Sequence, residues 1–272
     1  MHHPVRQPAV AGAFYPGQRS ALASTVASLL SAARAQAGAT AAAPKALIVP
    51  HAGYIYSGAT AALAYAQLAA RRSIITRVVL LGPVHRVPVR GLALPGADAF
   101  ATPLGEIEVD PAAVAALASL RQVVVSPAAH ALEHSLEVQL PFLQSVLDDF
   151  KLAPLAVGDA TPGEVAQVLE ALWGGPETLI VVSSDLSHFL PYRAAQSIDQ
   201  DTVQNILALR GHLSHEQACG STPINGLLLA ARHHRLQPRL LELCNSGDTA
   251  GDKQRVVGYA SIAFTEEPHA VH

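Results

Sequence analysis

The stretch LIVPHAGYIYSG, residues 47–58, places a continuous apolar run directly before His51 and Gly53. A run without alternation is typical of a strand buried on both faces of a sheet. The same pattern recurs in VVLLGPVHR (78–86) and LIVVSSDLSH (179–188), where an apolar run again ends in residues able to bind metals or move protons. These three stretches indicate a buried sheet whose strand ends carry chemistry.

Further apolar runs extend the predicted sheet. Strands are predicted at 45–50, 77–82, 90–95, 151–157, 178–184 and 255–264. Segments with helical spacing predict helices at 58–70, 110–120, 135–147, 161–173, 194–210 and 223–234. This alternation predicts an α/β fold, a single domain spanning residues 1–272 with a central, mainly parallel mixed sheet flanked by helices. We expect the final strand and the 90–108 region to be antiparallel additions, and a short surface linker near 36–44.

Composition and charge narrow the function classes. The formal net charge is −3 and only 14% of the 272 residues are charged, which disfavours a nucleic-acid-binding protein because no basic stripe is available. No apolar run approaches the roughly 20 residues that span a bilayer. The N-terminus shows no secretion signal. Two cysteines in a chain of this kind are expected to be reduced, so we expect a cytoplasmic protein without a membrane partner.

The polar residues at the strand ends are expected to meet in one crevice. In open α/β sheets, ligands bind outside the carboxyl ends of the strands. His51, His85, Asp185 and His188 all follow predicted strands at that edge. One histidine after a strand is commonly a loop residue, but three strand ends with such groups favour a functional site.

Two imidazoles and one anionic ligand are a common metal-binding set that leaves positions open for substrate. From the residues alone, the anionic ligand is Asp185, Glu133, Glu137 or Cys219. Cys219 precedes a predicted helix, whose dipole is expected to lower the cysteine pKa and favour a thiolate. A thiolate suits iron(II), copper(I) or zinc.

Other residues are given supporting or neutral roles. His188 or Asp185, if not bound to metal, would serve as the acid–base group. Glu133 or His134 is expected to hydrogen bond to a metal-binding imidazole. The remaining histidines that we considered are interpreted as solvated residues of the termini and helix ends: His2, His3, His212, His215, His233, His234, His269 and His272.

Six motifs resemble, in order, those of the Memo family, which is also called AmmeMemoRadiSam system protein B. They are AGAFYPG, PHAGYIYSG, LLGPVHRVP, EHSLEVQLPFL, VVSSDLSHF and CGSTPING, and the resemblance extends from about residue 8 to residue 264. That family is similar in fold to the class III extradiol dioxygenases, which are non-haem iron(II) enzymes with the metal at the strand ends of an α/β sheet.

The resemblance implies a mononuclear metal site with the ligands His51, His85 and Cys219. The dioxygenases use a carboxylate where this chain has the cysteine. It further implies that Asp185 and His188 line the pocket, with His188 as the acid–base residue, and that His134 is another pocket residue. The expected cofactor is iron(II), with copper as the second choice and zinc as the third.

The leading functional hypothesis is a dioxygenase-like, metal-dependent oxidoreductase that acts on a small molecule, with aromatic compounds as one candidate class. The resemblance also suggests pathway partners, namely a radical S-adenosylmethionine protein and an AmmeCR-type protein. One alternative is a metal-binding or peptide-binding module without turnover. A second alternative is a hydrolase with Cys219 as nucleophile.

Overall fold

A nine-stranded mixed sheet carries the fold in a computed structural model that describes residues 4–36 and 43–266. The strands are β1 (Val5–Arg6), β2 (Ala46–Val49), β3 (Arg77–Pro83), β4 (Leu92–Leu94), β5 (Ala99–Thr102), β6 (Gly105–Glu108), β7 (Val123–Val125), β8 (Lys151–Val157), β9 (Thr178–Ser183), β10 (His188–Leu190), β11 (Gln237–Asn245) and β12 (Val256–Thr265). The helices are α1 (Arg19–Gln36), α2 (Tyr54–Ala66), α3 (Pro111–Leu117), α4 (Pro127–Ala131), α5 (Leu140–Val146), α6 (Pro162–Ala171), α7 (Tyr192–Leu207) and α8 (Ser221–His233). Most of the linker predicted near 36–44 lies outside the described residues.

The centre of the large sheet is parallel and its margins are mixed. The strand order is β10-β12-β2-β9-β3-β8-β4-β7, with β11 paired to the other side of β12. Strands β2, β9, β3 and β8 run parallel, whereas β12 is antiparallel to β2 and β4 is antiparallel to β8. A small second sheet joins β1, β5 and β6. The predicted α/β fold with a mixed central sheet is confirmed.

Helices cover both faces of the sheet because the central strands have no polar face. Along β2, Leu47 and Val49 contribute to one apolar core, while Ala46 and Ile48 contribute to the other. The first core also receives side chains from α1, α2 and α5, and the second receives them from α3, α6, α7 and α8. The period of two along a strand therefore places a helical layer on each face.

Several elements were not predicted from the sequence. The longest is α1, whose Ala-rich sequence conceals an apolar stripe of Leu22, Val26, Leu30 and Ala33. Strand β11 is only partly buried and pairs along β12, and β1, β7 and β10 are each three residues or fewer. Strands β5 and β6 lie in the 90–108 region, where antiparallel additions were expected, and they pair antiparallel with each other in the small second sheet. Short strands give too little periodicity to be recognised.

Local signals do explain the boundaries of several helices. Asp110 caps α3 as predicted, because its carboxylate accepts the backbone N–H groups of Ala112 and Ala113. Helix α2 begins four residues earlier than predicted, at Tyr54, whose backbone N–H donates to the Phe14 carbonyl. The predicted 135–147 helix instead begins as a 3-10 turn over Glu137–Gln139 and continues as α5.

Two further sequence expectations concern the thiols and membranes. Cys219 and Cys244 are both free. Across the described residues, the helices are all too short or too polar to cross a bilayer.

Helices α6 and α8 approach closely at Gly226, and we expect this contact to be sensitive to volume. A Cβ added at Gly226 would lie 2.3 Å from Val165 Cγ1. We predict that Gly226→Ala lowers the free energy of unfolding by about 1–3 kcal/mol, because overpacking outweighs the gain in helix propensity. The measurement is urea denaturation.

The matched control is Gly163→Ala in α6, where the added Cβ has only Thr161 Oγ1 nearby, at 4.0 Å. This variant is expected to be unchanged or more stable by up to about 1 kcal/mol. Equal effects at the two positions would contradict the packing explanation.

Candidate metal centre

Adjacent parallel strands deliver the functional residues to one edge of the sheet. Strand β9 pairs with both β2 and β3, so the loops after these three strands start side by side. His51 follows β2, His85 follows β3 and Asp185 follows β9. The shared edge that the sequence predicted is therefore present, and it brings these loops together.

A three-histidine group, formed by His51, His85 and His134, lies at this edge. One ring nitrogen from each residue can be chosen so that all three lie within 4.8 Å of one another. The ring centroid of His51 is 5.3 Å from those of His85 and His134, which are 4.6 Å apart. Three imidazoles at such separations are able to share one metal ion.

Hydrogen bonds fix the tautomer of His51. Gln139 Nε2 donates to the Pro50 carbonyl and to Ser183 Oγ. The Ser183 hydroxyl donates its only proton to the Ser135 carbonyl, at 2.6 Å. Ser183 Oγ, 2.9 Å from His51 Nδ1, must therefore accept the Nδ1 proton. His51 Nε2 is left with a free lone pair, the form that a metal ligand requires.

The Glu133 carboxylate orients the other two imidazoles. Its Oε1 lies 2.9 Å from His85 Nδ1 and 3.3 Å from His134 Nδ1. The same oxygen accepts the backbone N–H groups of His134 and Ser135, and Oε2 accepts that of His85. A carboxylate on Nδ1 leaves Nε2 as the free ligand atom in both rings. Glu133 thus fills the supporting role for which the sequence offered Glu133 or His134.

Burial and neighbouring groups set the protonation states of Glu133 and His51. Burial alone would raise the pKa of Glu133, but hydrogen bonds from His134, His85 and the Ser135 amide hold that pKa well below its usual range. Burial, followed by the proximity of His134 and His85, lowers the pKa of His51 well below its usual value. An ionised Glu133 and a neutral His51 are the states that support metal binding.

Cys219 lies beside His51, in the loop before α8. Its Sγ is 3.4 Å from His51 Nε2. Metal–nitrogen bonds of about 2.0–2.1 Å and metal–sulfur bonds of about 2.3 Å would separate two such ligands by about 3.1–3.6 Å at bond angles of roughly 90–110°. Gly220 permits this position, since a Cβ there would lie 2.6 Å from Ser184 Cβ. The spacing suits a nitrogen and a sulfur that bind the same ion.

The sequence predicted that the dipole of α8 lowers the pKa of the Cys219 thiol, and this prediction is wrong. Burial, followed by the nearby Asp185, raises the pKa of the Cys219 thiol to about 12. Hydrogen bonds with the Ser184 hydroxyl and the backbone only partly offset this effect. Binding of an ion would therefore have to displace the thiol proton.

The other anionic candidates have partners of their own. Asp185 is 4% exposed, and its Oδ1 accepts the His51 backbone N–H at 2.7 Å. Glu137 is fully buried and pairs with Arg6 while also accepting the Tyr15 hydroxyl. These contacts make both carboxylates supports of the site, and the acid–base role of Asp185 stays a prediction.

A cavity of about 850 Å³ opens against His85 and Cys219. His188, at the start of β10, contributes to its wall, as the sequence predicted for a pocket residue. Phe189, the next residue, has a φ of 59° and is 60% exposed, so the chain turns sharply after His188. His188 therefore borders the cavity beside the sheet edge that carries the three-histidine group.

His215 is a pocket residue that the sequence did not reveal. It lines the large cavity and also a neighbouring cavity of about 560 Å³, where His85 and Cys219 recur. Its Nδ1 lies 3.2 Å from Ser221 Oγ in the first turn of α8. The sequence predicted a solvated residue at this position. His215 is exposed, as predicted, but the sequence did not predict that it lines these cavities. A polar loop just before the CGSTP motif was the only available signal.

Comparisons with known proteins show which family the chain resembles. The family model described as Memo-like protein matches residues 6–263. MEMO1 family proteins from Sulfurisphaera tokodaii and Aquifex aeolicus are 34% and 35% identical, and each alignment covers 96% of this chain and 99% of the relative. A relative of the same description from Metallosphaera sedula is 36% identical, with 80% of this chain and 82% of the relative covered.

A solved structure of an uncharacterized protein from Escherichia coli K12 has a TM-score of 0.49 and 14% identity. The superposition covers 80% of this chain and 98% of that one. This similarity is too weak to support any assignment.

The role of Glu133 as an anchor for two imidazoles leads to a prediction. Glu133→Gln keeps the shape but removes the charge, and its amide group would face the N–H donors of His85 and His134. We expect metal affinity to fall by about 10–100-fold, as is typical for loss of such a partner. The measurement is competition for Zn²⁺ against a chromogenic chelator, with circular dichroism to verify folding.

The matched control is Glu108→Gln, which changes an exposed carboxylate paired with Lys151. Its metal affinity should match that of the wild type. A wild-type affinity in Glu133→Gln would refute the anchoring role.

Proposed function

The chain belongs to the Memo-like protein family, and we propose that it is a metal-dependent oxidoreductase with a mononuclear centre built on His51 and His85. The observation that carries this proposal is the three-histidine group with the Cys219 thiol beside it, set against a cavity large enough for a small molecule. His51 and His85 supply two ligands, and Cys219 is the proposed third. His134 stands close enough to serve as a further ligand or as a pocket residue.

The donor set fits a transition metal better than magnesium or calcium. Those hard cations take oxygen ligands, whereas imidazole nitrogen and thiolate sulfur suit iron, copper and zinc. Two features support a prepared site: the lone pair of His51 Nε2 points towards Cys219, and Glu133 holds His85 and His134. Iron(II) remains our first choice, copper the second and zinc the third.

The residues around the centre have separate tasks in this proposal. A bound iron or copper ion would supply redox chemistry and a Lewis-acidic position. His188 is the group that we assign to proton transfer, because it lines the cavity and imidazole is a common general acid–base group in enzymes. Asp185 holds the His51 loop through the backbone N–H, so we assign it a positioning role.

The charge of the cavity wall bears on the substrate. Asp201 and Glu216 line the cavity, and none of the described lining residues is lysine or arginine. Apolar surface is provided by Leu190 and Ile198. Such a wall favours a neutral or cationic small molecule with an apolar part over a phosphorylated or multiply anionic one. Aromatic compounds without acidic groups remain compatible with it.

The hydrolase alternative would use Cys219 and His51 as a nucleophile–base pair. Their 3.4 Å separation is compatible with such a pair. However, burial raises the pKa of Cys219 and lowers that of His51, which opposes the thiolate–imidazolium state that activates catalytic cysteines.

The free thiols also support our proposal of a reducing compartment such as the cytoplasm.

Metal content tests the proposed centre. Anaerobically purified wild type should contain close to one equivalent of iron or copper, whereas His51→Ala, His85→Ala and Cys219→Ala should lose most of it. The expected reason is the loss of a ligand atom from one shared ion. The measurement is elemental analysis before and after reconstitution with iron(II).

The matched control is His212→Asn, because His212 is exposed and has a φ of 85° that asparagine tolerates. It should retain the wild-type metal content. Full metal content in His51→Ala would refute the site. A chelator should abolish the activity of a metal enzyme but leave that of a thiol hydrolase unchanged, so chelation separates the two models.

Oxygen uptake tests the redox half of the proposal. We expect reconstituted wild type to consume oxygen with at least one member of a panel of neutral and amine-bearing catechols. His188→Gln should reduce that rate by about 10²–10⁴-fold, the usual contribution of a general acid–base group, without changing metal content. An oxygen electrode gives the rates. No uptake across the panel would leave a metal-binding protein and contradict the oxidoreductase assignment.

A further inference from the structure

A second group of metal-type side chains lies on the surface at the far end of α8. Glu170 of α6 and the adjacent residues His233 and His234 can each offer a ligand atom within 4.8 Å of the other two. We call these three residues the surface cluster. Thirteen helical residues at about 1.5 Å each place roughly 20 Å between the two ends of α8, so this cluster is separate from the centre beside Cys219.

His234 is held in a defined orientation. Its ring stacks on the Trp173 indole, with the centroids 3.7 Å apart and the planes 8° from parallel. His234 Nε2 lies 2.9 Å and 3.1 Å from the two carboxylate oxygens of Glu170. A nitrogen and an oxygen bound to one zinc ion would be about 2.9–3.4 Å apart at bond angles of roughly 90–110°. An ion can therefore replace the shared proton with little movement of either side chain.

The backbone beneath the surface cluster is also fixed. Helices α6 and α8 pack closely where Gly226 meets Val165. The end of α8 is closed by Arg235 in the left-handed region, with a φ of 54°, and by the Leu236 N–H donating to the Ala231 carbonyl. The carboxyl end of a helix carries partial negative charge, which favours a cation at this position.

We propose that Glu170, His233 and His234 form a surface site for a divalent transition ion of borderline softness, such as Zn²⁺. Two imidazole nitrogens and one carboxylate oxygen are a ligand set that such ions accept, with remaining positions open to water. Both histidines are accessible, because His233 is exposed and the side chain of His234 is 27% exposed. The ion would join the end of α6 to the end of α8.

The sequence supplies its own reporter, because Trp173 is the only tryptophan. The test is a titration of the full chain with Co²⁺, a paramagnetic stand-in for Zn²⁺, while the Trp173 emission is recorded. We expect saturable quenching that EDTA reverses and Zn²⁺ competes. The quenching should persist in His51→Ala, which removes the other centre, so failure of the proposed function would not affect this result.

Two variants test the ligands while keeping the Trp173–His234 stack. Glu170→Gln retains a hydrogen-bonding group without charge, and His233→Asn removes one imidazole. Each should weaken Co²⁺ binding by at least about tenfold, since loss of even a supporting group costs that much at metal sites. His212→Asn is the control and should bind like the wild type. Unchanged affinity in both variants, or no saturable quenching in the wild type, would overturn the proposal.

Discussion

The buried Glu133 carboxylate is the group on which the geometry of the candidate metal centre depends. It is 2% exposed, and an unpaired charge at that depth would be costly. Both oxygens accept N–H donors: Oε1 from the rings of His85 and His134 and the backbone of His134 and Ser135, and Oε2 from the His85 backbone. These bonds tie the loop after β3 to the segment that carries the third imidazole. The need to satisfy one carboxylate thus sets the positions of two rings.

A second buried charge braces the same segment from the N-terminal side. Arg6 pairs with Glu137, donates from Nη2 to the Glu133 carbonyl and donates from Nε to the His130 carbonyl. Buried ion pairs contribute little net stability compared with apolar packing. Their use here is positional, because the arginine fork holds three points of the chain around His134 at once. Strand β1, which contains Arg6, is part of the site's scaffold although it is only two residues long.

Sequence reasoning reached the sheet and its chemical edge because strong local signals mark them. Continuous apolar runs identified β2, β3, β8 and β9, and the rule for ligand positions in α/β sheets then brought His51 and His85 together. The support network escaped prediction because it joins residues far apart in the chain. Nothing near Glu137 reveals its partner Arg6, and nothing near His215 reveals the cavity that it lines.

The pKa of Cys219 shows a different limit. A position before a helix predicts a lowered pKa and a thiolate, but burial in the folded chain raises the pKa of Cys219 instead. Burial is a tertiary property, so it cannot be read from the residues that flank the cysteine. The close approaches at Gly82 and Gly220 are of the same kind, since their neighbours Ser135 and Ser184 lie in other segments.

The long sequence separation between the site residues has a consequence for biosynthesis. His51 and Cys219 are 168 residues apart, and Arg6 and Glu137 are 131 residues apart. A ribosome adding about 5–20 residues per second needs roughly ten to thirty seconds to make the chain between His51 and Cys219. Throughout that interval the nascent chain exposes imidazoles without the thiol beside them. The pairing of His51 with Cys219 therefore belongs to the finished fold and follows synthesis of residue 219.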